Sequence, residues 1–342
     1  MIFRRNRFVN AATDFEDAVR NRDAEGSEHA FDAMCRAIDK AGDEEFRDAG
    51  PRLAAVLGEV PPGPRGVVAV IVGACVERGA DPVACAPGVF AGALGAFRQA
   101  EVFCERWAAG GGGELPEPDQ GDPAEDVVER VGFEAANGWW TLPQWEMAGV
   151  AMLSHRNVRQ QLGEQRDLAE LVDRVARASD EPFRFKCLSY ALRVRDDEPL
   201  VVLHRESRTG YLLRMSGIGD NFQLHTLLAA ALIGGGHVAG DAPSAEAVAV
   251  CRDTEGQAPT VGSFNLVAPD GEWIWNEGNP SDIPLVDGAR LLVLDPPPYR
   301  RHWDAGRFFP NMPGDLTLER VLGEQETVQW FTRISEAKVM GA

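Results

Sequence analysis

The spacing of the apolar residues changes near residue 183, and this change constrains the fold more than any other feature of the chain. From Ala11 to about Trp107, apolar residues recur at helical spacing, and glycine or proline stands at the breaks. Beyond residue 183, runs such as PLVVLHRES and TGYLLRMSG have the composition of paired strands. We therefore predict an α+β protein, with a helical N-terminal region followed by a C-terminal antiparallel or mixed sheet with covering helices.

The N-terminal region, residues 1–108, has the pattern of a helical bundle or of short helical repeats. Its most apolar runs, GVVAVIVGACVERG and PGVFAGALGAFRQAEVF, predict a central antiparallel pair of helices. Gly88, Gly92 and Gly95 fall on roughly one side of the second helix, where a neighbouring backbone can approach closely. We expect these glycines to serve internal packing.

Residues 109–124 combine a run of glycines with prolines and acidic side chains, a composition that buries too little apolar surface to order itself. We predict a flexible acidic linker there. Helical spacing resumes over residues 125–182, a segment that we expect to pack on the C-terminal part. The α+β domain then takes residues 183–342.

The α+β domain has several local signals. The run EPFRFKCL alternates apolar and basic residues and predicts a strand through Phe183, Phe185 and Cys187. PLVVLHRES and TGYLLRMSG predict one hairpin, and SFNLVAPDGEWIWNEG predicts another that turns at Asp270-Gly271. Asp220 has the position of an N-cap for a helix through GDNFQLHTLLAAALIGGG, and the final run PGDLTLERVLGEQETVQWFTRI predicts one or two covering helices.

The net charge of −19, from 53 acidic and 34 basic side chains, opposes the long-range attraction that nucleic acids and anionic membranes require. We therefore expect neither as a partner. No apolar core follows the arginines near the N-terminus as a signal peptide would require, and the longest apolar runs fall short of the ~20 residues of a membrane span. Six cysteines without C-x-x-C spacing fit a reducing compartment. We expect a soluble, acidic, cytoplasmic protein.

The chain lacks the short sequence motifs that identify common nucleotide-binding sites and catalytic sites. No Gly-Lys-Ser/Thr loop, G-x-S-x-G elbow or H-E-x-x-H pair occurs, and GIGDNF has no third glycine for a dinucleotide loop. The histidines are scattered and lack the local spacing of metal ligands. We predict no metal site and no cofactor.

A weaker set of catalytic candidates remains in the C-terminal domain. His204, His225, Cys187 and Asp220 supply the residue types of a nucleophile with a general base, provided that the fold brings them within hydrogen-bonding reach. These residues define an alternative function, an enzyme of the hydrolase or transferase class. A solvated polar face is the structural alternative for His204 and its neighbour Glu206.

The run LLVLDPPPYRRHW indicates a binding surface. Three prolines end a strand that begins at Arg290, and they release a stiff segment of aromatic and arginine side chains, which are common interface anchors. Two tryptophans of the neighbouring hairpin lie two residues apart on one strand face. The predicted binding residues are Trp273, Trp275, Tyr299, Arg300, Arg301, His302 and Trp303. The alternative is that the rings close the domain core and the arginines pair with the protein's own carboxylates.

A second aromatic group, Trp139, Trp140 and Trp145, is compatible with a core plug, an interface anchor or a ligand platform. Because aromatic clusters occur without a strong catalytic signature, the leading prediction is a binding or accessory protein that recognises a protein partner or a small ligand. The sequence leaves the partner and the oligomeric state open.

Overall fold

The computed structural model describes residues 6–118, 121–161, 166–181 and 184–338. Its contacts divide the chain into two compact units, Met1–Leu192 and Arg193–Ala342, which we call the helical unit and the α+β unit. The predicted fold class is confirmed, because helices make up the N-terminal part and a mixed sheet with covering helices follows. Among the described residues, no helix is both long and apolar enough to cross a membrane.

The helical unit consists of consecutive helices joined by short connections. They are α1 (Arg7–Asn21), α2 (Ala24–Ile38), α3 (Asp43–Val56), α4 (Pro62–Glu77), α5 (Pro82–Ala109), α6 (Glu125–Val131), α7 (Phe133–Trp140), α8 (Leu142–Leu153), α9 (Arg156–Gln161), α10 (Arg166–Ala178) and α11 (Lys186–Arg193). A 3-10 helix, Leu57–Glu59, stands between α3 and α4.

The core of the helical unit forms around α5. Trp139 and Trp145 are fully buried, and the ring of Trp139 stacks on Phe103 with the centroids 5.1 Å apart. Gly92 makes room for Trp145, because a Cβ atom at Gly92 would lie 2.1 Å from the indole ring. At Gly88, a Cβ atom would lie 2.2 Å from the carbonyl oxygen of Ala54 in α3. The tryptophan cluster therefore belongs to the core of this unit.

The Gly/Pro segment between α5 and α6 lies within the helical unit. Asp119 and Gln120 fall outside the described residues, but Pro116 accepts a hydrogen bond from Nε1 of Trp139 at 2.8 Å, and Glu117 accepts one from Nη1 of Arg184 at 3.1 Å. The helices that follow, α7, α8 and α10, contact α4 and α5. The flexibility expected for the segment stays a prediction.

The α+β unit has one larger sheet and one two-stranded sheet. Its strands are β1 (Glu198–His204), β2 (Thr209–Ser216), β3 (Ala258–Val261), β4 (Asn265–Val267), β5 (Leu285–Val286), β6 (Ala289–Asp295), β7 (His302–Ala305) and β8 (Asp315–Val321). The larger sheet has the order β4-β6-β1-β2-β8, with β5 also on β6, and β3 pairs with β7. The β1–β6 pair is parallel and the other pairs are antiparallel, so the sheet is mixed.

Both faces of the larger sheet are covered. Alternate residues of β1 point to opposite faces, so Leu200 and Val202 join one core while Val201 and Leu203 join another. The first core contains α12 (Asn221–Ala229), which continues into a π-helix at Ala230–Gly234, and α13 (Ala245–Arg252). The second core is closed by Trp330 and neighbouring residues of α14 (Glu324–Phe331).

Two predicted elements are wrong. Phe183 lies outside the described residues, but Lys186–Arg193 forms α11 rather than a strand, with Leu188 and Ala191 on its buried side. The start of the final run forms β8 rather than a helix, because Leu316 and Leu318 alternate with polar residues and pair with β2. Only the second half of that run is helical, as α14.

Candidate functional site

The helix α12 begins as the sequence predicts. Asp220 caps it by accepting the backbone N–H of Gln223 at 2.8 Å, and the Gln223 side chain in turn accepts the N–H of Gly219 at 2.9 Å. Asp220, a candidate catalytic carboxylate, therefore orients the first turn of a helix. One turn later, α12 carries His225 into the interior.

His225 is completely buried and both of its ring nitrogens face protein. Nε2 accepts the backbone N–H groups of Ser263 at 3.0 Å and of Phe264 at 3.2 Å, which places the ring proton on Nδ1. Burial, with a smaller contribution from the charge of Arg301, lowers the pKa of His225 to about 4, and a hydrogen bond with Asn276 opposes the change. A neutral imidazole whose acceptor nitrogen already holds two amides has no lone pair to offer a substrate, so the geometry favours a structural role.

Buried amide side chains surround this histidine. Nδ2 of Asn221 donates to the carbonyl of Trp275 at 2.9 Å, and Nδ2 of Asn279 donates to the carbonyl of Gly219 at 3.0 Å. Within the described part of the chain, Oδ1 of Asn221 is buried without a partner at hydrogen-bonding distance, while the amide of Asn276 neighbours the His225 ring. The two donors fasten residues 275–279 to the start of α12.

His204 ends β1 beside the turn of the first hairpin. Its Nδ1 lies 2.7 Å from Oγ of Ser207 and 3.3 Å from the backbone nitrogen of Ser207. Burial lowers the pKa of His204, against the opposing charges of Glu206 and Asp295. Both contacts of Nδ1 are local, so they stabilise the turn.

The four catalytic candidates are only partly brought together. His204 and His225 both contact the ring of Phe264, with centroids 6.2 and 5.9 Å away. Cys187 lies on α11 in the helical unit, and burial together with Glu146 raises the pKa of its thiol. A raised thiol pKa disfavours the thiolate that a nucleophile requires. The enzyme alternative stays a prediction.

The predicted binding residues divide into an inner and an outer group. Trp303 is an inner residue, because its ring lies 5.0 Å from His225 and 5.4 Å from Phe222, centroid to centroid. Arg301 is also inner, since Nη2 donates to the carbonyl of Phe264 and its own carbonyl accepts from Gly262. These side chains hold β7 against α12.

The outer group is exposed, and the backbone of one member, Trp275, is anchored by hydrogen bonds. Trp275 is 57% exposed and Tyr299 is 49% exposed, and Arg300 and His302 are also on the surface. The carbonyl of Trp275 accepts from Asn221 and from Gly278, so the backbone beneath the indole is held. We call Trp275, Tyr299, Arg300 and His302 the outer aromatic group.

Trp273 has a different contact from its neighbour. Its Nε1 donates to the carbonyl of Lys338 at 3.0 Å, and Lys338 also pairs with Glu272. The backbone of Lys338 donates to Gly271 at 2.9 Å. Trp273 therefore binds the end of the described chain, and its ring lies 6.4 Å from that of Trp275.

Sequence reasoning missed Phe264 and the buried asparagines. The asparagines of WNEGNP, close to glycine and proline, signal a turn, but their role depends on α12, more than fifty residues earlier in the chain. Among the described residues, no group of three or more His, Cys, Asp and Glu side chains is placed to hold a metal ion.

Comparisons with protein-family models, curated proteins and solved structures give no match for this chain.

Proposed function

We propose that this chain is a binding or accessory protein whose α+β unit recognises a protein partner through the outer aromatic group. The observation that carries the proposal is the exposure of two large rings, Trp275 and Tyr299, with the backbone of Trp275 held in place by internal hydrogen bonds. Large rings on a fixed backbone lose little conformational entropy on binding, and Trp, Tyr and Arg are the residue types that dominate interface energetics.

The partner's chemistry follows from the side chains. The rings of Trp275 and Tyr299 suit an apolar or aromatic surface, and Arg300 suits a carboxylate. Within the described residues, Arg300 has no ion pair of its own, whereas Arg301 is committed to the carbonyl of Phe264. We propose the cytoplasm as the place of action, which the six free thiols support.

The test is affinity capture from the native host with three forms of the full chain: wild type, a Trp275→Ala/Tyr299→Ala/Arg300→Ala variant, and a Leu285→Ala control. Leu285 is 60% exposed in the same unit but lies on β5, outside the outer aromatic group. We expect the triple variant to lose a partner that wild type and control retain. Each surface substitution should change the free energy of unfolding by no more than about 0.5 kcal/mol.

Two results would contradict the proposal. Equal capture by the triple variant and the wild type would exclude the outer aromatic group as the contact surface. A large drop in melting temperature for the triple variant would show that these side chains stabilise the fold.

A further inference from the structure

A cavity of about 370 Å³ lies at one corner of the helical unit, between α1, α2 and the connection from α3 to α4. We call it the corner cavity. Its apolar wall is formed by Phe15, Val19, Phe31, Val60, Pro61 and Pro64. Its volume lies in the range of pockets that enclose small organic ligands, and its lining is the usual one for such pockets.

Both sides of the corner cavity have a fixed backbone. On one side, Arg22 ends α1 in the left-handed conformation and Asp23 caps α2 by accepting the N–H of Gly26 at 3.0 Å. On the other side, the guanidinium of Arg65 donates to the carbonyls of Val60 at 2.8 Å and of Gly58 at 3.1 Å. These local bonds fix the backbone of each wall, so the cavity is present without a ligand.

The aromatic wall is well suited to an apolar or cationic body. The rings of Phe15 and Phe31 contact each other with centroids 6.4 Å apart, and both residues line the cavity, Phe31 being only half-buried. Apolar groups gain from burial against such a wall, and a cation near a ring face is attracted by its quadrupole.

The charged lining is predominantly acidic. Glu28 and Glu59 both line the cavity and are exposed, and among the described residues neither carboxylate has an ion-pair or hydrogen-bond partner. Asp23 adds a third carboxylate, against the single guanidinium of Arg22. The lining therefore carries a net negative charge within a protein whose overall charge is −19.

We infer that the corner cavity binds a small organic cation with an apolar body. The body lies in the cavity against the apolar wall that includes Phe31, and its ammonium group lies at the mouth beside Glu28 and Glu59. This site belongs to the helical unit and is independent of the outer aromatic group, so either proposal can fail without the other.

The test uses two probes of nearly equal shape and opposite charge, phenylbutylamine and phenylbutanoate, titrated into the full chain by calorimetry. An exposed carboxylate changes the affinity of a nearby charge by a factor of about two to five, and here two carboxylates attract one probe and repel the other. We therefore expect the amine to bind about ten-fold more tightly than the carboxylate. Added salt should reduce this preference, because the mouth is exposed.

Variants of the charged residues and of the cavity lining distinguish the effect of the carboxylates from that of the cavity. Glu28→Gln/Glu59→Gln should bring the two affinities close together, whereas Glu25→Gln/Glu44→Gln removes the same charge from exposed positions outside the lining and should keep the preference. Ala24→Trp should abolish binding of both probes. Ala24 lines the cavity but is exposed, so the indole can fill the mouth without entering the core.

The outcomes are decisive in each direction. Amine-selective binding that disappears in the Ala24→Trp variant supports the site. Binding of neither probe, equal binding of both probes to the wild type, or unchanged binding in a folded Ala24→Trp variant would overturn it.

Discussion

Alanine substitutions at three glycines of α5, Gly88, Gly92 and Gly95, test how closely this helix packs against its neighbours. Replacing a glycine inside a helix with alanine stabilises the helix by about 1 kcal/mol when the new methyl group meets open space. Gly95 fits this condition, because no atom lies within 4 Å of a Cβ atom built there. We expect Gly95→Ala to raise the free energy of unfolding by about 1 kcal/mol.

Gly92→Ala should have the opposite sign. Its Cβ atom would lie 2.1 Å from Cη2 of Trp145, whereas carbon atoms in contact prefer about 3.5–4.0 Å, so the ring must move by about 1.5 Å. Trp145 is 2% exposed, so a shift of its ring disturbs the packing of its buried neighbours. Overpacking of this kind costs about 1–3 kcal/mol, which cancels or exceeds the helix gain of about 1 kcal/mol and leaves Gly92→Ala about 1–3 kcal/mol less stable than Gly95→Ala.

Gly88→Ala provides a second test of the same reasoning, because its Cβ atom would lie 2.2 Å from the carbonyl oxygen of Ala54. A backbone atom cannot rotate away as a side chain can, so we expect a loss at least as large as that of Gly92→Ala. Urea unfolding followed by circular dichroism gives the free energies, and hydrogen exchange of α5 peptides assigns them to this helix. Equal stabilities of the Gly92→Ala and Gly95→Ala variants would refute the packing of Trp145 against α5.

Other predictions concern single side chains. The buried ring of His225 takes up a proton only near pH 4, whereas a histidine of the unfolded chain does so near pH 6.5. The free energy of unfolding should therefore fall by about 3 kcal/mol as the pH falls from 6.5 to about 4, and should not change for this reason above pH 6.5. Urea midpoints of a His225→Asn variant should lack this slope, and an unchanged slope would refute neutral burial. Arg301→Ala should lower the free energy of unfolding by about 1–3 kcal/mol because it frees a buried carbonyl, while Arg300→Ala should stay within about 0.5 kcal/mol. Equal melting temperatures of these two variants would contradict the division into inner and outer residues. Iodoacetamide should alkylate Cys187 more slowly near neutral pH than a free cysteine and faster after Glu146→Gln; rapid reaction of the wild type would contradict a raised thiol pKa.

Local signals in the sequence predict the elements whose cause is local. The cap at Asp220 and the glycines after Ile233 bracket α12, whose regular part is Asn221–Ala229. The first hairpin also forms as predicted, with His204 paired to Thr209 at its end. In both cases the residues that determine the structure are close together in the chain.

Short amphipathic windows are where the prediction fails. Around Phe185 and Leu188, a few apolar residues fit both a strand and one side of a helix, and packing in the helical unit selects the helix. Leu316 and Leu318 fit a strand equally well, and β2 supplies the neighbour that selects it. Contacts with distant parts of the chain decide whether such a window forms a helix or a strand, and the local sequence does not show which contacts are available.

The environment of His225 cannot be predicted from the sequence for a related reason. Its acceptor nitrogen is occupied by Ser263 and Phe264, and the spacing from α12 to these residues carries no motif. A histidine with two backbone donors looks the same in sequence as a free general base. Only the fold distinguishes them.

The pleat of β7 explains why the predicted binding segment serves two purposes. Within β7, Trp303 and Ala305 are more buried than His302 and Asp304, in the alternation that any strand imposes, and just before the strand Arg301 is half-buried while Arg300 is exposed. We predicted this segment as a stiff run after three prolines, without a strand, and so placed all its side chains on one surface. Among the described residues, β7 pairs with β3 alone, and because an isolated two-stranded sheet is marginally stable, we infer that the inward anchors hold the ribbon in place. Loss of binding after changing an inward residue would therefore report displacement of the ribbon, and only substitutions of the outward residues test direct contact with a partner.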